Sequence, residues 1–397
     1  NMLSIAHKIT KSVFLVLGLS GTTLWPAGVL AGKDKPADQN AGERTVILFN
    51  NLKALAPDYI MVGHQDALSY GVKWVGDENR SDLHDVTGSH PAVFGWDIGG
   101  IDIGLAKNLD SVPFDQMRKN MISVFEAGGL NTISWHAYNP LNGKDSWVDT
   151  QIAVDVVGQI LPGGARHADF LKNLDRTGDF LASLRSKNGE LIPVVFRPWH
   201  EHSGSWFWWG RLHCTREQYI ELYRFTIQYL REKHALNNLL IAFSPDIGYT
   251  NAAEYLERYP GDDMVDVIGV DDYHSLRQNK PGNLIRNLEI IAAVAKEKGK
   301  IAAFTETGCT NMEDKKYFTE KLLPVLQHSE LTRYISWVLF WRNGNKKHHF
   351  MPYRGHKSAA DFRRFVAHPM ILMQNDLPDL YRVYPDISNE ISGTSPD

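Results

Sequence analysis

Glu201 and Glu306 are the residues of this sequence whose type and setting best suit acid–base and nucleophilic chemistry. Glu201 follows the apolar run Leu191–Phe196 and is flanked by two histidines, and Glu306 follows the apolar run Ile301–Phe304. A carboxylate in an apolar setting costs free energy unless it is paired or functional. Two converging carboxyls can supply a proton donor and a nucleophile, the pair that glycosidic bond cleavage requires. The alternative is structural, with each glutamate paired to an arginine, Arg197 or Arg342.

Aromatic residues gather near the same positions, at or just beyond the ends of apolar runs. Aromatic faces stack on the C–H faces of pyranose rings, so such a set favours carbohydrate binding. Core packing is the better interpretation for Trp96 and Trp199, and Trp208 and Trp209 are expected to anchor their loop. This leaves Trp206 as the one expected to contact a sugar. The tryptophans that share this placement are Trp96, Trp135, Trp199, Trp206, Trp208, Trp209 and Trp341.

Short apolar runs that alternate with amphipathic segments must position these groups. Such alternation predicts a parallel sheet covered by helices, and eight repeats of it predict a closed (β/α)₈ TIM barrel in a single domain. An open doubly wound sheet is the alternative, but the Gly-rich phosphate loop expected after its first strand is absent. The predicted strands are Tyr59–Gly63, Pro91–Trp96, Leu130–Ser134, Leu191–Phe196, Leu239–Phe243, Val265–Val270, Ile301–Phe304 and Ile335–Phe340.

Capping signals and apolar spacing predict several of the helices between these strands. Thr215–Gln218 is a capping box that opens a long helix to about His234. Apolar residues three and four positions apart predict the others, at Glu43–Leu55, Asn283–Lys298, Lys315–His328 and Ala360–Met373.

The residues that end the strands of a (β/α)₈ barrel face one shared cavity. The fourth and seventh strands lie across the barrel from each other, so Glu201 and Glu306 are expected to converge over its mouth. The predicted cavity residues are His64, Asp66, Asp97, Trp135, His136, Tyr138, Arg197, Trp199, His200, Glu201, Asp246, Asp272, Tyr273, Glu306, Trp341 and Arg342.

The chain divides into four predicted segments. Residues 1–31 have two lysines before a short apolar run and small residues at a cleavage spacing, which predicts an export signal and a periplasmic or extracellular protein. Residues 32–42 form a polar linker, 43–384 the barrel, and 385–397 a loosely ordered tail. The long connection from about Pro140 to His167 is expected to form a wall of the active site.

Bulk properties exclude several classes of partner. The formal net charge of −4 argues against nucleic acid or an anionic membrane surface, and the N-terminal apolar run is too short for a membrane span. We expect a monomer, no cofactor and no metal, although His136, His200 and His274 could meet as ligands. Cys214 and Cys309 could form one bridge or remain separate buried thiols.

Two motifs resemble those of glycoside hydrolase family 26. The first is the run Arg197–Glu201, Arg-Pro-Trp-His-Glu, with Trp206 five residues further on, and the second is Phe304–Glu306. The resemblance extends over essentially the whole chain after the predicted signal. It implies a retaining (β/α)₈ enzyme with its acid/base on the fourth strand and its nucleophile on the seventh. The usual activity of the family is that of a β-1,4-mannanase.

The resemblance also implies individual roles. Glu201 matches the acid/base and Glu306 the nucleophile, and the retaining mechanism predicts carboxyl oxygens about 5–5.5 Å apart. The implied partner is β-mannan polysaccharide or manno-oligosaccharide. The matched substrate-binding positions are His136 after the third strand, His200 before the acid, Trp206 in the following loop, Tyr273 near the nucleophile, Trp341 as an aromatic floor, and Arg342 toward a neighbouring sugar.

Three alternatives remain open from the sequence. The same residues could act on another β-glycan, such as β-glucan or β-xylan. The action could be exo rather than endo if a loop after the second or third strand closes one end of the cleft. The barrel could bind glycans without cleaving them, although the presence of both glutamates argues against this.

Overall fold

The structure is a computed structural model that describes residues 34–152 and 154–392. The predicted export signal and the end of the predicted tail lie outside the described residues. Within them, no helix combines the length and the apolar composition needed to span a bilayer.

Eight parallel strands close into a barrel, which confirms the predicted (β/α)₈ fold. Each strand pairs with the next along the chain, and the last pairs with the first in the register Val62 to Val338. Every residue of these strands is buried, as expected for a sheet covered on both faces. The strands are β1 Ile60–Gln65, β2 Val93–Asp97, β3 Leu130–Trp135, β4 Val194–Pro198, β5 Leu239–Phe243, β6 Val267–Asp272, β7 Ile301–Thr307 and β8 Ile335–Phe340.

Several strands begin or end later than the apolar runs predict. The fourth begins at Val194 rather than Leu191, because Leu191 instead forms an antiparallel bridge with Arg185. Strands β4 and β6 also continue past the ends of their apolar runs, β4 to Pro198 and β6 to Asp272. Apolar runs report burial, whereas strand limits follow the hydrogen-bond ladder, and at the carboxyl ends the ladder continues into the site.

Helices cover the outside of the barrel, and the capping box at Thr215 is present as predicted. The helices are α1 Glu43–Leu55, α2 Asp82–Thr87, α3 Phe114–Glu126, α4 Val156–Ile160, α5 His167–Ala182, α6 Arg216–Lys233, α7 Ala252–Tyr255, α8 Pro281–Lys298, α9 Leu323–Leu326, α10 Glu330–Arg333, α11 Ala359–Val366 and α12 Ser388–Ser392. Short 3₁₀ turns at Thr310–Met312 and Gln374–Asp376, a π-helical turn at Tyr317–Leu322, and a hairpin of Tyr70–Gly71 with Trp74–Val75 complete the elements.

Two predicted helices are interrupted. The helix predicted at Lys315–His328 is the π-helical turn followed by α9, and the one predicted at Ala360–Met373 stops at Val366. Pro369 cannot continue that helix, because proline has no N–H to donate and disfavours helical backbone in the residue before it. Beyond it, Ile371–Leu372 pairs with the start of β1 instead.

The helix α1 packs at the end of the barrel where the strands begin. The Thr45 hydroxyl donates to the Asn237 carbonyl just before β5, and the Ser336 hydroxyl in β8 donates to the Leu52 carbonyl. The opposite end, where the carboxyl termini of the strands lie, is therefore left for the loops that carry the candidate site.

Segments predicted as linker and tail also pack on the barrel. The Ala37 amide donates to Asp266 Oδ1 at 2.6 Å, and Asp38 is buried. At the other end of the chain, Ile387 is buried and the short helix α12 follows it. A backbone hydrogen bond docks the first segment and a buried isoleucine the second, and composition alone reveals neither.

Candidate active site

Glu306 lies near the end of β7 with both carboxylate oxygens engaged. The guanidinium of Arg197 from β4 donates through Nη2 to Oε1, and the Tyr273 hydroxyl donates to Oε2 at 2.7 Å. Two donors aimed at one carboxylate fix its orientation. The structural alternative of an arginine-paired glutamate is thus true of Glu306, with Arg197 as the partner and not Arg342.

Arg197 joins two strands as well as binding Glu306. Its Nη1 donates to Asp271 Oδ2 of β6 at 2.8 Å and to the Ser244 hydroxyl at 3.1 Å. Its side chain is only 2% exposed. Although burial opposes the charge, the carboxylates of Asp271 and Glu306 outweigh it and raise the pKa of Arg197. A permanently charged guanidinium therefore stands beneath the floor of the cleft.

Glu201 has a different environment. The residue is partly exposed, and its Oε2 accepts from Trp206 Nε1 at 2.6 Å. Burial among protein groups, together with the nearby charges of Glu306 and Asp246, raises the pKa of Glu201 well above its ordinary value. This carboxyl is thereby kept protonated over a wider pH range than a free glutamate.

The backbone at Glu201 is strained. Its φ is +52°, in the left-handed region that non-glycine residues rarely adopt, and the nearby Trp199 has φ +53°. The Glu201 amide donates to the Ser244 carbonyl at 2.9 Å, which holds this conformation. The turn directs the glutamate over the mouth of the barrel. No sequence pattern predicts this backbone conformation.

The two glutamates converge as the barrel reading predicts. One carboxylate oxygen each of Glu201, Glu306 and Asp271 lie within 4.8 Å of one another. Retaining glycosidases hold such carboxyls about 5–5.5 Å apart and inverting ones about 6.5–9.5 Å. An ionised carboxylate beside a protonated one at this separation can attack an anomeric carbon while donating a proton to the leaving oxygen.

The same three carboxylates are close enough to share a cation, but their surroundings suit a metal poorly. Arg197 is already bound to both Asp271 and Glu306, so a cation between them would face a buried guanidinium. The histidine set does not assemble either: His136 and His200 meet, but His274 Nδ1 pairs with Arg277. The donor set therefore favours acid–base chemistry over metal binding.

His136 and His200 form a pair beside the glutamates. Their Nε2 atoms are 3.3 Å apart, and His136 Nδ1 is 2.6 Å from Asp97 Oδ2. Although burial opposes protonation, Asp97 outweighs it and raises the pKa of His136, whereas burial and then Arg197 hold the pKa of His200 well below its ordinary range. One imidazole is thus biased toward charge and the other toward neutrality.

Trp341 and Arg342 extend the site from the end of β8. Trp341 is half-buried, with its ring 6.0 Å from that of His136. Arg342 pairs with Asp110 at 2.9 Å and lies over the Tyr70 ring. It also lines a cavity of about 930 Å³ between the loops after β1 and β2. Trp341 therefore lies beside His136, with its amide bound to the carbonyl of Thr307, the residue after Glu306, and Arg342 lies beside the large cavity.

The expectation that Trp135 faces the cavity is wrong, because its side chain is fully buried. Trp96, Trp199, Trp208 and Trp209 are buried too, in keeping with the packing and anchoring roles expected of them. Among the strand-end tryptophans, only Trp206 and Trp341 are partly exposed. Loops beyond the strand ends form a second apolar layer, and the indole N–H groups there donate within it, as Trp208 does to the Ala137 carbonyl and Trp209 to the His200 carbonyl.

The prediction that Asp272 faces the cavity is also wrong. Its neighbour Asp271 faces the cavity instead. Asp272 accepts from the Ser275 hydroxyl and from Asn287 of α8, on the outside of the barrel. Consecutive strand residues point to opposite faces, so only one of two adjacent aspartates can face inward. The apolar run did not show which one.

The long connection after β3 packs against the loop that carries Trp206, as expected of a wall. The Val148 amide donates to the Trp206 carbonyl at 2.8 Å, and Trp147 bridges to Phe207. Cys214 and Cys309 are both free, so of the two possibilities the separate thiols are the one observed.

A (β/α)₈ barrel that brings together a glutamate with a raised pKa just after β4 and an arginine-bound glutamate near the end of β7 has the site of a glycoside hydrolase. The family model of glycosyl hydrolase family 26 matches residues 37–318. The chain belongs to glycosyl hydrolase family 26.

Individual relatives agree with this assignment. The chain is 31% identical over 390 residues to a mannan endo-1,4-beta-mannosidase of Bifidobacterium adolescentis, an alignment that covers 90% of this chain but only 38% of that protein. Among solved structures, a β-mannanase of Bacteroides ovatus is 42% identical with TM-score 0.82, covering 87% of this chain and 98% of that one. A modular endo-β-1,4-mannanase of Cellulomonas fimi is 34% identical with TM-score 0.80, covering 88% and 80%.

Proposed function

We propose that this protein is a retaining endo-β-1,4-mannanase that hydrolyses mannan, glucomannan or galactomannan. The observation that carries the proposal is the pair of glutamates with oxygens within 4.8 Å and opposite electrostatic settings. Mannan as the substrate is supported by the names of the related enzymes, of which the first spans far more than this chain.

In the first step, Glu306 attacks the anomeric carbon and forms a covalent glycosyl-enzyme. Arg197 and Tyr273 hold the Glu306 carboxylate in a fixed orientation, so its attack needs little reorganisation. Glu201 gives its proton to the leaving glycosidic oxygen at the same time.

In the second step, Glu201 takes a proton from water as the water oxygen attacks the anomeric carbon from the face that the leaving group vacated, and the ester bond to Glu306 breaks. This step requires Glu201 to be a carboxylate, and the indole N–H of Trp206 stabilises that form. Two inversions at one carbon give net retention of the β configuration.

The remaining residues form the substrate-binding surface in this proposal. Trp341 is an aromatic floor for the sugar whose bond is cleaved, and Trp206 contacts the sugar that leaves. His136 and His200 bind hydroxyls near the nucleophile. Arg342 binds a sugar further along the glycone side, where the large cavity opens.

Purified protein incubated with mannan, glucomannan, galactomannan, carboxymethyl cellulose and xylan tests the proposal. We expect reducing ends from the mannans only, and NMR of the first products should show the β-anomer before mutarotation. Mixed oligosaccharides early in the time course indicate endo action, whereas a single short product from the start indicates exo action. Preferential hydrolysis of cellulose or xylan would contradict the choice of substrate, and an α-anomer would contradict retention. The Glu306→Ala variant is the control for contaminating activity.

We further propose that the protein is exported and acts as a monomer. The lysines and small residues of segment 1–31 support export, since they match an export signal. Fractionation of the native host, with gel filtration of the purified protein, tests both points. Recovery of the protein with the cytoplasmic fraction, or elution as a dimer, would overturn the respective point.

A further inference from the structure

Asp97 is a fully buried carboxylate at the end of β2, and it is committed to one imidazole. Its Oδ2 lies 2.6 Å from His136 Nδ1 and 2.6 Å from the Ser134 hydroxyl, and its Oδ1 accepts from the Gly99 amide at 2.7 Å. A carboxylate in this setting can only accept hydrogen bonds. The Nδ1 atom of His136 must therefore carry a proton.

The other nitrogen of His136 meets a second imidazole. Its Nε2 lies 3.3 Å from His200 Nε2, a separation that accommodates one proton between the two atoms but not two. His200 is buried, and its Nδ1 has no hydrogen-bond partner among the described residues. Phe207 packs edge-on against both rings, at 5.2 and 5.3 Å between centroids, which keeps them from rotating apart.

We propose that Asp97 is a positioning residue that holds a proton on His136 Nδ1 and so fixes the orientation of the imidazole pair that recognises a substrate hydroxyl. Without Asp97, the His136 proton is free to move to Nε2. There it would either clash with a proton on His200 Nε2 or force the two rings apart. The proposal rests on the proposed function only in naming a sugar hydroxyl as the group recognised.

Charges from several elements act on this imidazole. Those that bear on His136 are Asp97 from β2, Asp110 from the following loop, Arg197 from β4, His200 from the turn after β4, and Glu306 from β7. Asp97 is the one of these in direct contact with Nδ1, so its removal should change the protonation of His136 most.

Asp102 offers a matched control for Asp97. It is similarly buried and lies in the loop that follows Asp97, but its carboxylate accepts from the backbone amides of Gly100 and Tyr138 rather than from an imidazole. Replacing Asp102 by asparagine therefore changes a buried carboxylate that does not contact the histidine pair. Only Asp97→Asn should alter the histidine.

Long-range ¹⁵N–¹H spectra of ¹⁵N-histidine-labelled protein test the proposal, with the His136 signals assigned by their loss in His136→Gln. In the unmodified protein we expect His136 Nδ1 to be protonated across the titration. Asp97→Asn should shift the His136 pattern toward the Nε2–H form and lower kcat/KM on mannan by about ten- to hundredfold. Asp102→Asn should leave the spectrum unchanged and kcat/KM within about threefold.

A wild-type spectrum with Nδ1 unprotonated would overturn the proposal without any variant, so a poorly folding Asp97→Asn does not rescue it. Equal losses of kcat/KM in both asparagine variants, with an unchanged His136 pattern, would show that Asp97 has only a structural role. Absence of wild-type activity on mannan would contradict the proposed function instead, and the spectra would still report on Asp97.

Discussion

The indole of Trp206 donates its N–H to Glu201 at 2.6 Å, which joins the aromatic loop after β4 directly to the carboxyl that it follows in sequence. The contact stabilises the carboxylate form, against the burial that favours the protonated form. Glu201 is therefore held between two protonation states, as a residue that serves in turn as acid and base must be.

Replacing Trp206 by phenylalanine should shift the alkaline limb of the pH–activity profile to higher pH. The substitution removes a donor that lowers the pKa of Glu201, so the acid stays protonated to higher pH. Hydrogen bonds to charged groups contribute roughly 1.5–3 kcal/mol, or about one to two pH units. The pH profile of kcat/KM on a manno-oligosaccharide measures the shift. An alkaline limb that stays in place would show that another group controls it.

Variants of the two catalytic glutamates should differ in how their activity depends on the leaving group of the substrate. Glu201→Ala should lose most activity on mannan yet retain glycosylation with activated aryl mannosides, whose leaving groups need no proton. Glu306→Ala should lose both, because no nucleophile remains. Burst kinetics with an aryl substrate and assays on mannan check this pair. Aryl mannoside activity in Glu306→Ala, with mannan activity retained in Glu201→Ala, would reverse the roles.

Arg197→Ala should strongly destabilise the fold as well as abolish activity. It leaves Asp271 and Glu306 buried without their shared partner, and breaking such a pair costs about 3–5 kcal/mol. Urea unfolding measures the change. Arg224→Ala, which removes a half-exposed pair with Asp263, is the control and should cost about 1 kcal/mol or less. Equal losses would place Arg197 among ordinary surface pairs.

The stability of the protein should fall with rising pH through the titration of Asp66. Burial first, and then the charge of Asp110, raises the pKa of Asp66 from 3.8 to about 8. Between these values the folded state holds a proton that the unfolded state has released, so stability is present at low pH and is lost as the pH rises toward 8. The slope is up to about 1.4 kcal/mol per pH unit.

Asp66→Asn isolates that contribution, since an amide can still accept from the Tyr70 hydroxyl. The variant should match the wild type near pH 4 and be the more stable of the two at pH 8, as measured by urea unfolding at several pH values. Parallel curves for the two proteins would show that Asp66 does not titrate in this range.

The sequence by itself determined the barrel and the location of the chemistry. Apolar runs at regular intervals dictate parallel strands, and the polar residues that end them must meet at one end of a closed barrel. This placed Glu201 and Glu306 together although they are far apart along the chain. It also identified Trp208 and Trp209 as anchors of the loop rather than as binding residues.

Only the tertiary structure decided how those residues work. Arg197 reaches Glu306 across 109 positions of sequence, and no local pattern records which acidic group a buried arginine will bind. Three other features also depend on tertiary contacts and have no local sequence signal. They are the positive φ of Glu201, the inward orientation of Asp271 rather than Asp272, and the Asp97–His136 contact. Sequence periodicity specifies the element and the face, whereas pairing and protonation depend on groups that meet only when the barrel closes.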